Sequence, residues 1–155
     1  MTKEAEISTC ISGSFKFKPE IDRLIEEFQD LHVRVLSPEK GWLVVPKFHI
    51  LLKNNFRPLP SEKNMTVKQV ENNFLTDVKK STFLYVANFG GYTGCSTNFE
   101  IGFALGIGKP IYSIEKIANI ENDLLYGEDV KSIKIMTPKD TVEDILKQII
   151  ELGWN

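Results

Sequence analysis

Phe83-Leu84-Tyr85-Val86-Ala87 is the longest wholly apolar run in the chain, and it limits what the chain can become more than any other feature. A strand with one wet face alternates apolar and polar residues. Five apolar residues in succession, from a stretch spanning Thr82 to Asn88, instead read as a strand buried on both faces. Such a strand needs helices above and below it, and the rest of the sequence offers them. Pro19 opens a helix at a position where its missing N–H costs nothing, with Ile21, Leu24, Ile25 and Phe28 along one side. A second helix runs from Thr66 to about Ser81 with Val67, Val70, Phe74 and Val78 as its stripe. A third runs from about Thr97 to Ile107 and stops at Gly108-Lys109-Pro110, a glycine followed by a proline. A fourth follows Thr137-Pro138 and carries Val142, Ile145, Leu146, Ile149 and Ile150.

Short β-rich segments fall between these helices: Glu6 to Ser12, Val33 to Leu36, Ile111 to Ile114 and Ser132 to Met136. Strands alternating with helices imply parallel pairing and right-handed crossovers. The expected fold is α/β, a three-layer sandwich around a five-stranded parallel sheet in the flavodoxin- or Rossmann-like order 2-1-3-4-5. With 155 residues it forms a single domain, 1–155, interrupted by an irregular flap-like segment at about 39–65. Such sheets bind ligands outside the carboxyl ends of their strands, where the strand order reverses. The loops that meet there are Ser12 to Lys16 and Asn88 to Glu100, both rich in glycine and hydroxyls.

Composition narrows the function classes. Nineteen basic against 21 acidic residues leave a net charge of −2, which gives no general attraction for polymeric nucleic acid or an anionic membrane. No apolar run could span a bilayer, and the N-terminus lacks the apolar core of a signal peptide. A cytoplasmic location is expected. Cys10 and Cys95 make neither a disulfide framework nor a metal site, and His32 and His49 stand without a second ligand at useful spacing. No metal or organic cofactor is expected.

Within the first loop, Ser12, Gly13, Ser14, Phe15 and Lys16 lie between a strand and a helix N-terminus. Backbone N–H groups, hydroxyls and the lysine would favour an anion there. The loop is neither a Walker A sequence nor GxGxxG, so a nucleoside triphosphate or dinucleotide is not implied. In the second loop Glu100 has two readings. Thr97-x-x-Glu100 matches a capping box, which spacing alone favours and which gives the glutamate no chemistry. Alternatively the carboxylate enters the crevice, where it could attack a sugar carbon or stabilise an oxocarbenium-like transition state. Gly102 and Gly106 would let their helix lie close to the sheet. Cys95, beside a helix start, reads as an inert thiol. Trp42, Phe48, Phe56 and Arg57 could cover a ligand or simply pack the irregular segment.

From Phe83 to Glu115 the chain resembles the nucleoside 2-deoxyribosyltransferase-like superfamily. An apolar strand, a glycine-bearing loop, Glu100-Ile-Gly-Phe-Ala104 and Gly108-Lys-Pro-Ile111 follow in the order of that superfamily's signature. The Ile11-Ser-Gly-Ser-Phe-Lys16 loop resembles the G-S-x-R loop of its 2′-deoxynucleoside 5′-monophosphate N-hydrolase branch. The resemblance implies that Glu100 attacks C1′ of the sugar and that Ser14 and Lys16 contact a 5′-phosphate. Asn88, Tyr92, Gly94 and Ser96 would complete the substrate site. Three positions depart from the pattern: Cys10 replaces an orienting tyrosine, Phe74 an aspartate with Asp77 one turn on, and Gly94 an acidic loop residue. The expected function is cleavage or transfer at the N-glycosidic bond of a nucleoside or its 5′-monophosphate, hydrolysis favoured. The alternative is a nucleotide-binding or sensing domain that keeps the pocket without the chemistry. Relatives complete their sites with a neighbouring subunit, so a homodimer or larger homo-oligomer is expected, with residues 39–65 near the interface.

Overall fold

The computed structural model describes residues 6–38, 66–118 and 131–153. The expected flap at 39–65, with Trp42, His49, Phe48, Phe56 and Arg57 and the interface proposed for it, lies outside the described residues. Along the chain come β1 (Ser8–Ser12), a 3-10 turn (Phe15–Phe17), α1 (Lys18–Asp30), β2 (Arg34–Ser37), α2 (Val67–Lys80) and β3 (Phe83–Val86). After a second 3-10 turn at Phe89–Gly91 follow α3 (Cys95–Gly106), β4 (Ile111–Ser113), β5 (Lys134–Ile135) and α4 (Pro138–Leu152). The five strands form one open sheet in the order β2-β1-β3-β4-β5, and every pairing is parallel. This is the expected architecture.

Strand alternation sorts the core into two layers. Ile11, Phe83, Tyr85 and Tyr112 pack against Ile21, Leu24, Ile25 and Phe28 of α1 and Val142 and Ile145 of α4. Cys10, Leu84, Val86 and Ile111 pack against Val78 of α2 and Ile101 and Ala104 of α3, with Phe74 at the margin. Each fully buried large apolar side chain contributes about 1.5–3 kcal/mol, so the two layers fix which helix faces which side of the sheet. On β1 the same alternation turns Cys10 and Ser12 toward α2 and α3. That places Ser12 on the layer that carries Glu100.

Helix ends follow local chemistry. Thr66 caps α2 through Gln69 in a reciprocal capping box, and Thr137 caps α4. At the end of α3, Gly108 takes φ 71°, its N–H bonds Leu105 O, and Lys109 N–H reaches Ala104 O. Those two bonds make a Schellman stop. The Lys109 ammonium also donates to the carbonyls of Lys79 (3.1 Å) and Ser81 (2.5 Å), which ties the ends of α2 and α3 together. His32 serves as a helix stop: its φ is 62°, and its N–H bonds Gln29 O. On α4 the apolar stripe is narrower than expected, because Leu146 and Ile150 are exposed. Gly102 and Gly106 also differ from expectation, since a Cβ on either would meet nothing within 4 Å. They face open space, and close approach of α3 to the sheet depends on Ile101 and Ala104 instead.

A polar network fastens α4 to the far side of the sheet. Tyr112, buried, donates its hydroxyl to Asp144 Oδ2 at 2.6 Å, and Lys134 Nζ and Gln148 Nε2 reach the same oxygen at 2.9 and 2.8 Å. Partial burial raises the Asp144 pKa, but these three donors and the Lys134 charge outweigh it, so the carboxyl titrates below its usual value. A group depressed on folding stabilises above its unfolded pKa of 3.8 and loses that contribution as pH falls through the lower folded value. Asp144→Ala should therefore cost about 1–3 kcal/mol at neutral pH, the penalty of stranding a buried hydroxyl. Urea unfolding should show the gap between variant and wild type closing as the solution is acidified.

Candidate active site

The crevice above β1 and β3 is built by two close contacts and a clamp. At Gly13 a Cβ would stand 3.0 Å from Ala87 O and 3.1 Å from Ile21 Cδ1, so only glycine lets the first loop lie against the end of β3. Asn88, wholly buried, donates Nδ2–H to Glu115 O at 2.7 Å and accepts from Glu115 N–H at 3.1 Å. Glu115 in turn accepts from the Gly90 N–H through its carboxylate. Gly91 has φ 79°, and a Cβ there would come within 2.9 Å of Lys116 O. Asn88 was expected to touch the ligand. Its amide is instead committed to joining the loops after β3 and β4.

Glu100 is the centre of the site. The third helix starts at Cys95 with Gly94 as its N-cap, two residues earlier than spacing suggests, and no side chain caps it. Thr97 is therefore inside the first turn and Glu100 inside the second, which removes the capping-box reading. Glu100 is only 6% exposed, and its Oε1 accepts from Ser12 Oγ at 2.5 Å, across 88 residues of sequence. Ser12 was expected to meet the ligand directly; buried at the end of β1, it positions the glutamate. The Cys10 thiol, two residues before Ser12 on β1, is buried and pushed up to about 12, first by burial and then by the charges of Asp77 and Glu100. It stays neutral.

The residue that the sequence reading missed is Glu71. It lies on α2 one turn before Phe74, half-buried, and its carboxyl acts on that of Glu100 by charge and hydrogen bonding. Asp77 is not among the groups that shift Glu100; its charge acts on Cys10. A signal for Glu71 exists: it falls on the apolar stripe of α2, with Val67 and Val70 before it and Phe74 and Val78 after it. A carboxylate on an inward stripe has to meet something polar. Burial raises the Glu100 carboxyl first, the Glu71 charge and hydrogen bond raise it further, and the Ser12 bond opposes them, leaving it at about 8. Burial also raises Glu71. The two carboxyls therefore titrate as a pair, each charge disfavouring the other.

The other expected residues form the rim. Ser14 accepts from Phe17 N–H through its carbonyl (2.9 Å) and from Lys16 N–H through its hydroxyl (3.4 Å), closing the 3-10 turn. Lys16 Nζ lies 3.4 Å from the centroid of the half-exposed Tyr92 ring and 5.1 Å from that of Phe17. Phe17 packs edge-on against Phe89 at 5.3 Å, so one aromatic cluster joins the two loops. A Cβ on Gly94 would touch only the Tyr92 ring tip, at 3.7 Å. Ser96 and Cys95 are exposed at the first turn of α3, and the side chain of Phe15 lies outside the described part. Thr93 Oγ1 and Asn98 Oδ1 are buried without a hydrogen-bond partner among the described residues. Among those residues no group of three His, Cys, Asp or Glu could hold a metal ion, and no helix is long and apolar enough to cross a membrane.

No family model and no curated protein matches the chain. Among solved structures, a conserved protein from Enterococcus faecalis V583 is similar, with a TM-score of 0.57 and 14% identity over 93% of this chain and 99% of that one. At that identity the likeness speaks for the fold alone.

The raised Glu100 carboxyl has a measurable consequence. A group raised on folding stabilises fully below its unfolded value of 4.5 and loses that contribution as pH rises through about 8. Stability should therefore decline across this window in the wild type and decline less in Glu100→Gln, as followed by urea midpoints. Ser12→Ala removes the one bond that favours the charged form. Carbon-13 NMR of the glutamate carboxyls should then show the Glu100 titration moving further up; a downward move would refute the assigned role of Ser12.

Proposed function

We propose that this protein cleaves the N-glycosidic bond of a nucleoside or nucleoside 5′-monophosphate, with Glu100 as the nucleophile and water as the favoured acceptor. One observation carries the reading. A glutamate buried where two parallel strands end, and aimed by the serine that closes one of them, is costly to fold around and has no ion partner among the described residues. Structural carboxylates are placed where solvent or cations stabilise them, whereas catalytic ones tolerate such burial. The signature around Glu100 points the same way, and so does the carboxyl pair, since glycosidic cleavage ordinarily uses two carboxyl groups.

The rim supports a phosphorylated substrate. A lysine over an exposed ring gains about 0.5–1 kcal/mol, whereas a charge-assisted hydrogen bond to an anion contributes about 1.5–3 kcal/mol. A 5′-phosphate would therefore draw Lys16 off Tyr92. Ser14 and Ser96 supply nearby hydroxyls, and the uncapped first turn of α3 supplies N–H groups. Transfer to a second base would use the same covalent intermediate.

Glu100→Gln tests the reading. The variant should fold, bind nucleotide, and release free base at least about a thousandfold more slowly, as expected on loss of a covalent nucleophile. Base release is followed by chromatography over a panel of ribo- and deoxyribonucleosides and their monophosphates. Unchanged turnover would remove Glu100 from the chemistry. A wild type that binds nucleotides but releases no base from any of them would favour the binding or sensing role. Lys16→Ala should weaken monophosphate binding by about 1–3 kcal/mol in calorimetry and leave nucleoside binding nearly unchanged.

A further inference from the structure

We propose that Tyr92 is a latch for Lys16: in the free protein its ring holds the ammonium, and a phosphomonoester binds only by breaking that contact. The inference rests on the reading of Lys16 as the contact for the 5′-phosphate. Lys16 Nζ stands 3.4 Å from the Tyr92 centroid against 5.1 Å from that of Phe17, so Tyr92 supplies most of the attraction. A ring face attracts a cation through its quadrupole within about 6 Å. Among the described residues no carboxylate forms an ion pair with Lys16. A ring, and not an acid, therefore holds the charge.

Both partners are fixed by their loops. Lys16 is the middle residue of the 3-10 turn Phe15–Phe17, which the Phe17 N–H closes on Ser14 O. Tyr92 follows the turn at Phe89–Gly91, and its N–H bonds Phe89 O at 3.4 Å. Phe17 packs edge-on against Phe89 at 5.3 Å and Tyr92 at 6.2 Å, which holds the ring beside the turn that carries the lysine. The tip of the same ring nears the N-cap of α3, where a Cβ on Gly94 would stand 3.7 Å from Tyr92 Oη. A phosphate held jointly by the first turn of α3 and by Lys16 needs the ammonium off the ring face. One exposed cation–π contact is weaker than a charge-assisted bond to phosphate, so the anion wins, at an affinity lowered by what the ring gives up. A ligand without a phosphate leaves the latch shut and bears no such cost. The sugar phosphate left after the base departs still carries the anion, and the claim of the ring on Lys16 then favours its release.

The test titrates 2-deoxyribose 5-phosphate into the protein by calorimetry. Tyr92→Leu should tighten binding about two- to fivefold, the worth of one exposed cation–π contact, whereas Tyr92→Phe keeps the ring face and should bind as the wild type does. In a Lys16→Ala background Tyr92→Leu should change nothing. Weaker or equal binding in Tyr92→Leu would overturn the latch, as would tightening that persists without Lys16. Weaker binding in Tyr92→Phe would overturn it too, by showing that the hydroxyl itself holds the phosphate. Proton NMR of the wild type tests the contact with no variant: the Lys16 side-chain methylenes nearest the ammonium should be shifted upfield by the ring and return downfield as the sugar phosphate is added. An ordinary lysine shift in the free protein, or an upfield shift that the ligand leaves in place, would refute the proposal. A wild type that binds neither the sugar phosphate nor any nucleoside monophosphate would remove the phosphate reading of Lys16 itself, and the latch with it.

Discussion

The hydrogen bond from Ser12 to Glu100 is the contact on which the site depends. Its two partners are far apart in sequence, and three separate pieces of folding have to agree for it to form. The alternation of β1 must turn Ser12 toward the α2/α3 layer, which requires Ile11 to face the other core. The helix carrying Glu100 must begin at Cys95, because a start at Thr97 would place the glutamate in the first turn and aim it at the backbone. The loop between β3 and that helix must hold its length and path, which the Asn88–Glu115 clamp and the left-handed Gly91 secure. A fault in any one leaves a carboxyl buried without its donor, at a cost of kcal/mol order. The bond is thus a consequence of the fold and a check on it.

Glu71 and Lys109 divide the work of holding α2 against α3. Near their C-terminal ends the Lys109 ammonium bridges α3 to the last carbonyls of α2, a favourable place for a cation. Nearer the crevice the helices meet through two acids. A cation there would satisfy both carboxylates and lower their pKa values. The sequence instead puts its lysine at the C-terminal ends of the helices and leaves two acids at the crevice. That division leaves the Glu100 carboxyl raised to about 8, close to physiological pH.

The sheet order and most of the helices were legible because their signals are local and repeated. An unbroken apolar run such as Phe83–Ala87 has few alternatives, and stripes at helical spacing survive small errors in boundaries. Single-residue geometry was less legible. Whether Glu100 was a cap or a crevice residue turned on a two-residue shift in a helix start, and such starts are the least determined feature of a pattern. Asn88 looked like a ligand residue because polar groups after a buried strand often are. Only the fold of the β4 loop shows its amide engaged with Glu115. Glu71 went unread because the stripe of α2 is continuous without it, so the glutamate passed for a solvated neighbour. Gly102 and Gly106 misled in the opposite sense: their four-residue spacing suggests close packing, but their faces look outward.

On the proposed N-glycosidase reading, the departures at Cys10 and Phe74 from the pattern of the resembled superfamily have a physical account. A tyrosine at position 10 would orient a nucleophile from the floor of the site. With Cys10 there, the floor is small and neutral, and the orienting bond moves two residues along the same strand face to Ser12. An acid at position 74 would reach the site from the middle of α2. With Phe74 packed at the margin of the core, the acid moves one turn toward the N-terminus, to Glu71. Cys10 and Phe74 themselves join the apolar layer between the sheet and helices α2 and α3. Burial is the largest effect that raises Glu100, and neither the neutral Cys10 thiol nor the apolar Phe74 brings a charge that would oppose it.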